Sequence, residues 1–323
     1  MDESDRIALL ARALAARAPG RGIEVGIGDD AAVLRAPAPP ARLVWTIDEQ
    51  VEGTHFERNL LSWHDVGWRS LMAATSDVAA MGAEPWCALC ALVLPDDFGD
   101  EALGELARGQ AAAADAVAAP VVGGNLARGP ALSIATTLLG TSAGVPVERR
   151  GASPGEALWL AGSVGLASAG LLAVRQGRAD DPVLAHAVEA WRRPRALVDA
   201  GRSLSAVASA AVDVSDGLAR DAGHIAEASG VCVVLDEGAI LADAALARAA
   251  EALGVAALDL ALHGGEDYAI VAAAGASLAG FRRIGEVRAG KGLALRAASG
   301  ERPLEPRGFD HFRTNTPPGA SRS

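Results

Sequence analysis

The chain has 323 residues, half of them hydrophobic, and a formal net charge of −11. That length accommodates two domains with substantial cores, and the acidic balance argues against binding nucleic acid or an anionic membrane surface. No apolar run is long enough to span a membrane and the start, Met-Asp-Glu-Ser-Asp, lacks the basic segment of a signal peptide, so a cytoplasmic protein is expected.

Taken in order, Ile7, Leu10 and Leu14 at helical spacing predict an amphipathic helix over residues 5–17, ended by Pro19-Gly20. Residues 23–27 lead into a turn carrying Asp29 and Asp30, and a short strand is expected at 31–34. After a proline-rich loop at 37–40 comes a strand over 43–47, with Asp48 at its C-terminal end. His55 lies in the glycine-bearing loop that follows, where a structural and a functional role are both open. Residues 63–81 form a helix whose stripe of Trp68, Leu71, Met72, Thr75, Val78 and Ala79 faces a core. Asp77 lies on the other side among the small residues Ala73 and Ala80, which suggests a covered face and a carboxylate looking into a site. Gly82 fits the C-terminal cap.

Residues 87–94 read as a buried strand. Cys87 and Cys90 form a Cys-x-x-Cys within it, but residues three apart on a strand point to opposite faces, so buried, reduced thiols are expected and not a metal or redox pair. A helix over 100–118, a turn at Gly123-Gly124-Asn125 and a strand over 131–140 complete a first α/β pattern, with its polar residues gathered at strand ends. Residues 145–155, with Arg149 and Arg150, read as a junction. A second pattern follows: a strand over 157–161, a helix opened by Gly162-Ser163-Val164-Gly165, whose free N–H groups could bind an anion, a helix over 185–191, and Pro194 near the start of the next one. The strand 210–214 runs into Ser215-Asp216-Gly217, where Ser215 or Asp216 would serve as N-cap of a helix. Asp213 interrupts that alanine–valine strand, and a buried carboxylate needs a partner. A strand over 231–235 and a turn through Gly264-Gly265-Glu266-Asp267 into a strand over 268–273 follow. The predicted domains are 1–145 and 146–312, with a disordered tail over 313–323.

Acidic residues thus recur at turns and strand junctions. If those junctions meet in one cleft, the carboxylates repel one another and stay ionised only with cations between them. A magnesium-rich site that handles phosphate is the expectation. Lys291 is the only lysine and does not stand in a phosphate-loop motif, so phosphate would be held by arginine, backbone N–H groups and metal ions.

Six segments, Gly-Ile-Gly-Asp-Asp-Ala-Ala-Val at 26–33, Val-Glu-Gly-Thr-His-Phe at 51–56, Ser-Asp-Val-Ala-Ala-Met-Gly-Ala-Glu-Pro at 76–85, Asp-Val-Ser-Asp-Gly-Leu at 213–218, Gly-Gly-Glu-Asp-Tyr at 264–268 and Gly-Phe-Asp-His-Phe at 308–312, stand in the order and approximate spacing of one family. Over nearly its whole length the chain resembles the thiamine-monophosphate kinases of the aminoimidazole ribonucleotide synthetase superfamily. The resemblance implies a two-domain α/β fold with mixed sheets, a homodimer formed through the N-terminal sheets, and transfer of the γ-phosphoryl of ATP to thiamine monophosphate, giving thiamine diphosphate. It implies that Asp30, Thr46, Asp48, Asp77, Asn125, Asp213 and Asp216 hold several magnesium ions, that Gly124, Asn125, Arg149 and Ser215 contact ATP, and that His55, Glu266 and Phe309 contact the thiamine substrate. The acceptor is a phosphate oxygen already ionised at neutral pH, so no general base is required and catalysis is positioning plus electrostatics.

The chain departs from the family at four places. Asn125 replaces an aspartate and can coordinate only through its carbonyl, Ile47 replaces a threonine, the helix at 100–118 has no tyrosine to stack on adenine, and Phe309 replaces a common tyrosine. Other ATP-dependent members of the superfamily, a non-catalytic paralogue that binds without turnover, and phosphate hydrolysis are the alternatives. Selenophosphate synthetase would want a cysteine near the N-terminus and the hydrogenase-maturation relative one at the C-terminus, whereas the cysteines here are Cys87, Cys90 and Cys232.

Overall fold

The computed structural model describes residues 3–14, 22–27 and 31–309. Asp29, Asp30, the end of the last motif (310–312) and the tail at 313–323 lie outside the described residues. No described helix is long and apolar enough to cross a membrane.

The first half runs α1 (Glu3–Leu14), β1 (Ile23–Val25), β2 (Val33–Leu34), β3 (Arg42–Val51), α2 (Trp63–Ala80), β4 (Glu84–Leu94), α3 (Asp100–Val117), β5 (Val121–Arg128) and β6 (Ser133–Ser142). The second runs β7 (Ala157–Ala161), α4 (Leu166–Arg175), α5 (Ala185–Arg192), α6 (Val198–Arg202), β8 (Ala210–Val214), α7 (Leu218–Ser229), β9 (Cys232–Asp236), α8 (Glu237–Ile240), α9 (Ala244–Leu253), α10 (Ala257–His263), β10 (Ala269–Ala274), β11 (Arg282–Arg288), β12 (Gly292–Ala297) and β13 (Gly300–Pro303). A four-stranded sheet of order β3-β6-β4-β5 serves the first half, and a seven-stranded sheet of order β13-β12-β9-β11-β7-β10-β8 the second. Both are mixed: β4–β5 and β9–β12 are parallel pairs among antiparallel neighbours.

The helix α2 joins the two halves. Leu71, Met72, Ala74 and Val78 enter the core under the four-stranded sheet, whereas Ala79 packs with Ala211, Ile270 and Ala272 of the other sheet. A helix covered on both sides must be apolar nearly all round, and Ala73 and Ala80, beside Asp77, are indeed buried. Its ends are well specified. Ser62 accepts the Asp65 N–H at 3.1 Å, and Gly82, at φ 69°, supplies the left-handed residue that lets the last carbonyls be satisfied. The close packing of α2 on α3 depends on glycine: a Cβ at Gly67 would lie 2.0 Å from the Leu106 carbonyl oxygen, and one at Gly109 would lie 1.9 Å from that of His64.

Three sequence expectations are corrected here. Asp48 does not end its strand, because the β3–β6 ladder continues to Val51 opposite Ser133. Gly123-Gly124-Asn125 is not a turn. These residues lie inside β5, paired with Leu89, Cys90 and Ala91 of β4, and sheet pairing overrides the local glycine preference. Pro194 precedes α6 by several residues and does not start it. The two thiols of Cys87 and Cys90 fall in different clusters, one with Trp86 and Val122, the other under the sheet, and burial pushes each up to about 11.

Candidate active site

A cleft of about 2230 Å³ is lined from the first half by Asp48 and His55 and from the second by Ser215, Asp216, Glu266 and Phe309. Six of the residues singled out in the sequence therefore share one cavity. Thr46, Asp77, Asp213 and Arg149 form a second group next to it.

The link between the groups is Asp48. On β3 it alternates with Thr46 and Gln50 on the side facing the helices, and Gln50 donates to its Oδ1 at 3.2 Å. Burial pushes Asp48 up to about 6; the Gln50 bond opposes this, Asp77 and Glu266 add repulsion, and the charge of Arg69 eases it. Thr46 Oγ1 donates to Asp77 Oδ2 at 2.6 Å, and Asp77 too is raised, chiefly by burial. Ser76, one residue earlier on α2, donates to Asp213 Oδ2 at 2.9 Å, so the strand carboxylate of β8 is tied across to the other half. Asp213 is raised by burial first and then by Asp77 and Asp221. The exposed Arg149 lowers both Asp77 and Asp213 by its charge.

The turn after β8 is built differently from the expected N-cap. Gly217, at φ 118°, is the cap residue, and no side chain of Ser215 or Asp216 caps the helix. Instead Asp221, one turn into α7, reaches back and accepts the N–H groups of Ser215, Asp216 and Gly217 at 3.0–3.1 Å. Asp221 is buried and pushed up to about 7, by burial and then by Asp216, against those three bonds. The N–H groups of this turn are thus taken, and Ser215 is left its hydroxyl for a ligand. The anion site expected at the start of α4 is likewise filled from within. Asp267 accepts the N–H groups of Gly165 at 2.6 Å and Ala167 at 3.0 Å.

His55 accepts the Val51 N–H through Nδ1 at 2.9 Å, which puts the proton of the neutral ring on Nε2. Glu266 sits at φ 64° and pairs with the buried Arg69 of α2. Phe309 comes from the strap after β13: its N–H donates to the Asp216 carbonyl at 3.2 Å. Arg220 donates to the Phe309 carbonyl and stands 3.3 Å from Asp216 Oδ2.

Gly124 and Asn125 are not among the residues that line the cleft. Gly124 has a packing reason, since a Cβ there would lie 1.9 Å from the Cys90 carbonyl oxygen. In register, Gly124 shares a row with Cys90, Thr136 and Asp48, whereas Asn125 shares one with Ala91, Ala135 and Glu49. The Gly26 turn runs beside the start of β5, with a Cβ at Gly26 lying 3.9 Å from the Val122 carbonyl oxygen.

Among the described residues no three His, Cys, Asp or Glu side chains converge closely enough to chelate an ion by themselves. The donor set is one of single, mutually repelling carboxylates backed by hydroxyls. That suits a small hard cation which keeps waters and shares phosphate oxygens, not a dry protein cage. Sequence reasoning missed Arg69, Arg220, Gln50, Asp221, Tyr268 and Lys291, all of which line the cleft or hold residues that do. Arg69 carried a readable signal: a lone charge within the apolar run Trp68–Ala74, on a helix with both faces covered.

The N-terminal domain of AIR synthase related proteins matches residues 28–142 and the corresponding C-terminal domain residues 153–298. The thiamine-monophosphate kinase of Corynebacterium glutamicum is 37% identical, over 80% of this chain and 80% of its own length. That of Escherichia coli K12 is 34% identical over 90% and 93%. The solved structure of AaThiL complexed with AMPPCP and TMP superposes with a TM-score of 0.80 at 28% identity, covering 96% of this chain and 97% of that one. The thiamine-monophosphate kinase of Stenotrophomonas maltophilia K279a gives 0.78 at 34% identity over 90% and 94%. The hydrogenase maturation protein HypE in complex with ATP shares the fold, with a TM-score of 0.75 at 20% identity over 96% of each chain.

Proposed function

The chain belongs to the thiamine-monophosphate kinase family of AIR synthase related proteins, and on that premise we propose that it transfers the γ-phosphoryl group of ATP to the phosphate of thiamine monophosphate. The observation that carries this reading is the single cleft in which Asp48, His55, Ser215, Asp216, Glu266 and Phe309 meet. The likeness to a structure complexed with AMPPCP and TMP supports the same pair of ligands here.

The chemistry asks little covalent work of the protein. The acceptor oxygen is already anionic, and the barrier is the approach of two polyanions. Asp48, Asp77, Asp213 and Asp216, with Thr46, are the residues that would hold magnesium, joined by Asp30 outside the described residues; the Asn125 carbonyl, in the Glu49 row, would hold an ion only on the other face of the sheet. Bound magnesium supplies charge neutralisation and alignment of phosphate oxygens. The upward push on Asp48, Asp77 and Asp213 supports this, because buried carboxylates left without a cation resist ionising together. Arg149, the Ser215 hydroxyl, Gly124 and Asn125 are assigned to ATP. Glu266, Phe309 and the Nε2–H of His55 are assigned to the thiamine part, with Glu266 complementing its cationic ring.

The chain acts as a homodimer in this reading. Leu43, Trp45 and Ile47 alternate along the outer side of β3 at 55%, 73% and 69% exposure, an apolar strip that water does not favour and a second copy would cover.

The test is direct. Incubated with ATP, Mg²⁺ and thiamine monophosphate, the protein is expected to form ADP and thiamine diphosphate, and Asp48→Asn to abolish this. No diphosphate above that control sinks the kinase reading. Binding of thiamine monophosphate without turnover would favour a non-catalytic paralogue, the reading that Asn125 motivates.

A further inference from the structure

We propose that Arg69 is a positioning residue for Glu266, holding one carboxylate oxygen so that the other is presented to the thiamine part of the substrate; this rests on the kinase reading above. Arg69 projects from α2 out of the N-terminal half and is 1% exposed. One Nη donates to the Trp191 carbonyl and the other to Glu266 Oε1, while the guanidinium lies 5.7 Å from the centre of the Trp191 ring. Its Nε has no hydrogen-bond partner among the described residues. An arginine this buried keeps its charge, so the pair with Glu266 is what balances it.

The loop that carries Glu266 needs such a tie. Glu266 and Tyr268 both stand in the left-handed region, at φ 64° and 48°, a conformation neither residue type favours. Strain of that kind persists only where the surroundings over-determine it. Here the Glu266 N–H donates to the Ser215 carbonyl at 2.8 Å and the Tyr268 N–H to the Val214 carbonyl at 2.9 Å. Asp267, between them, is locked into the start of α4. Those ties all come from the C-terminal half. Arg69 adds the one that fixes the Glu266 side chain, and it comes from the same helix that carries Ser76 and Asp77. Because Oε1 is engaged by Arg69, the remaining oxygen of a cleft-lining residue is the one available to a cationic ring.

The closing experiment uses the full chain and four forms: wild type, Arg69→Lys, Glu266→Gln and the double variant. Lysine keeps the charge but not the two-pronged geometry, so the fold survives while the fork is lost. Without ligand, hydrogen exchange in the peptide covering 264–268 is expected to quicken in Arg69→Lys while β10 stays protected; an unchanged 264–268 overturns the proposal, whether or not thiamine monophosphate binds. With ligand, calorimetry is expected to show thiamine monophosphate binding weakened about tenfold in Arg69→Lys, with ATP affinity changed less than about twofold. In the Glu266→Gln background, Arg69→Lys is expected to add almost nothing, because its effect runs through the glutamate. Losses that multiply in the double variant overturn the proposal. Absence of binding by the wild type refutes the kinase reading instead, and the exchange experiment then decides on Arg69 alone.

Discussion

At the scale of single residues, charge at the proposed metal positions is what the family resemblance marks as different. If Asn125 holds a cation as proposed, its neutral carbonyl does so with one less negative charge than the aspartate that the resemblance implies there. Asn125→Asp is expected to lower the Mg²⁺ concentration for half-maximal activity by about threefold to tenfold, the range a single added charge spans near a partly hydrated ion; a flat response in a magnesium titration would place Asn125 away from any ion. Arg220 is the complementary case. It joins the Asp216 carboxylate to the Phe309 carbonyl, so it holds the strap against the start of α7. Arg220→Ala is expected to raise the KM for thiamine monophosphate several-fold, about 1 kcal/mol of lost positioning, with kcat changed less; an unaltered KM would detach the strap from substrate binding. The apolar run around Arg69 marks it as buried, but the partners of both arginines were illegible in the sequence for a physical reason. An arginine on a helix reads by default as a solvated charge, and the partner that makes Arg69 different lies 197 positions away. Asp48, His55 and Glu266 were legible because each stands in a short motif next to glycine or in an otherwise apolar strand.

At the scale of elements, most helices and strands followed from hydrophobic spacing, and the exceptions are where tertiary pairing outweighs local preference. The glycines of β5 read as a turn, yet the parallel ladder with β4 runs straight through them, and Gly124 is small because of the backbone beside it. The starts of α4 and α7 looked open or self-capped, but Asp267 and Asp221 close them from a distant loop and from within the helix. The element that matters most for the site is α2, which brings Arg69, Ser76 and Asp77 to three different partners. Its height over α3 is set by the contact at Gly67, 2.0 Å from a backbone oxygen for any added Cβ. Backbone cannot swing aside as a side chain does, so Gly67→Ala must push the helices apart. The expected cost is about 1–3 kcal/mol, visible as a lower urea midpoint with an unchanged slope, together with reduced activity below the transition. A midpoint equal to the wild type would show that the helix pair has slack.

At the scale of the whole molecule, two properties follow from where the apolar and acidic surfaces end up. The sequence shows a strand over 43–47, but Leu43-Val44-Trp45 is a continuous apolar run, so the outer strip of Leu43, Trp45 and Ile47 is decided only when α2 and α3 take the other side of β3. Trp45→Glu is expected to give a monomer by size-exclusion chromatography with light scattering, with the fold intact by circular dichroism; a persistent dimer would put the interface elsewhere. The acidic interior sets the response to pH. Asp48 is raised to about 6, and Asp221 and Asp267 to about 7, from an ordinary 3.8, in each case chiefly by burial. An acid with a raised folded-state value binds its proton more tightly in the native than in the unfolded chain. Stability therefore falls as pH climbs from about 4 through the folded value and levels off above it. Between pH 6 and 8 each group with a midpoint near 7 removes about 1.4 kcal/mol. His224, lowered by burial, works in the opposite sense, but its stabilisation is lost only as pH falls below about 6.5. The metal-free protein is thus expected to melt several degrees lower at pH 8 than at pH 6. Magnesium binds the ionised carboxylates, so it should recover the part owed to Asp48, Asp77 and Asp213 at pH 8 and do little at pH 6. Differential scanning fluorimetry with and without Mg²⁺ at the two pH values reads both effects. Equal melting temperatures without metal would mean that the buried acids are relieved by solvent, and an equal magnesium response at both pH values would mean that the ion binds away from them.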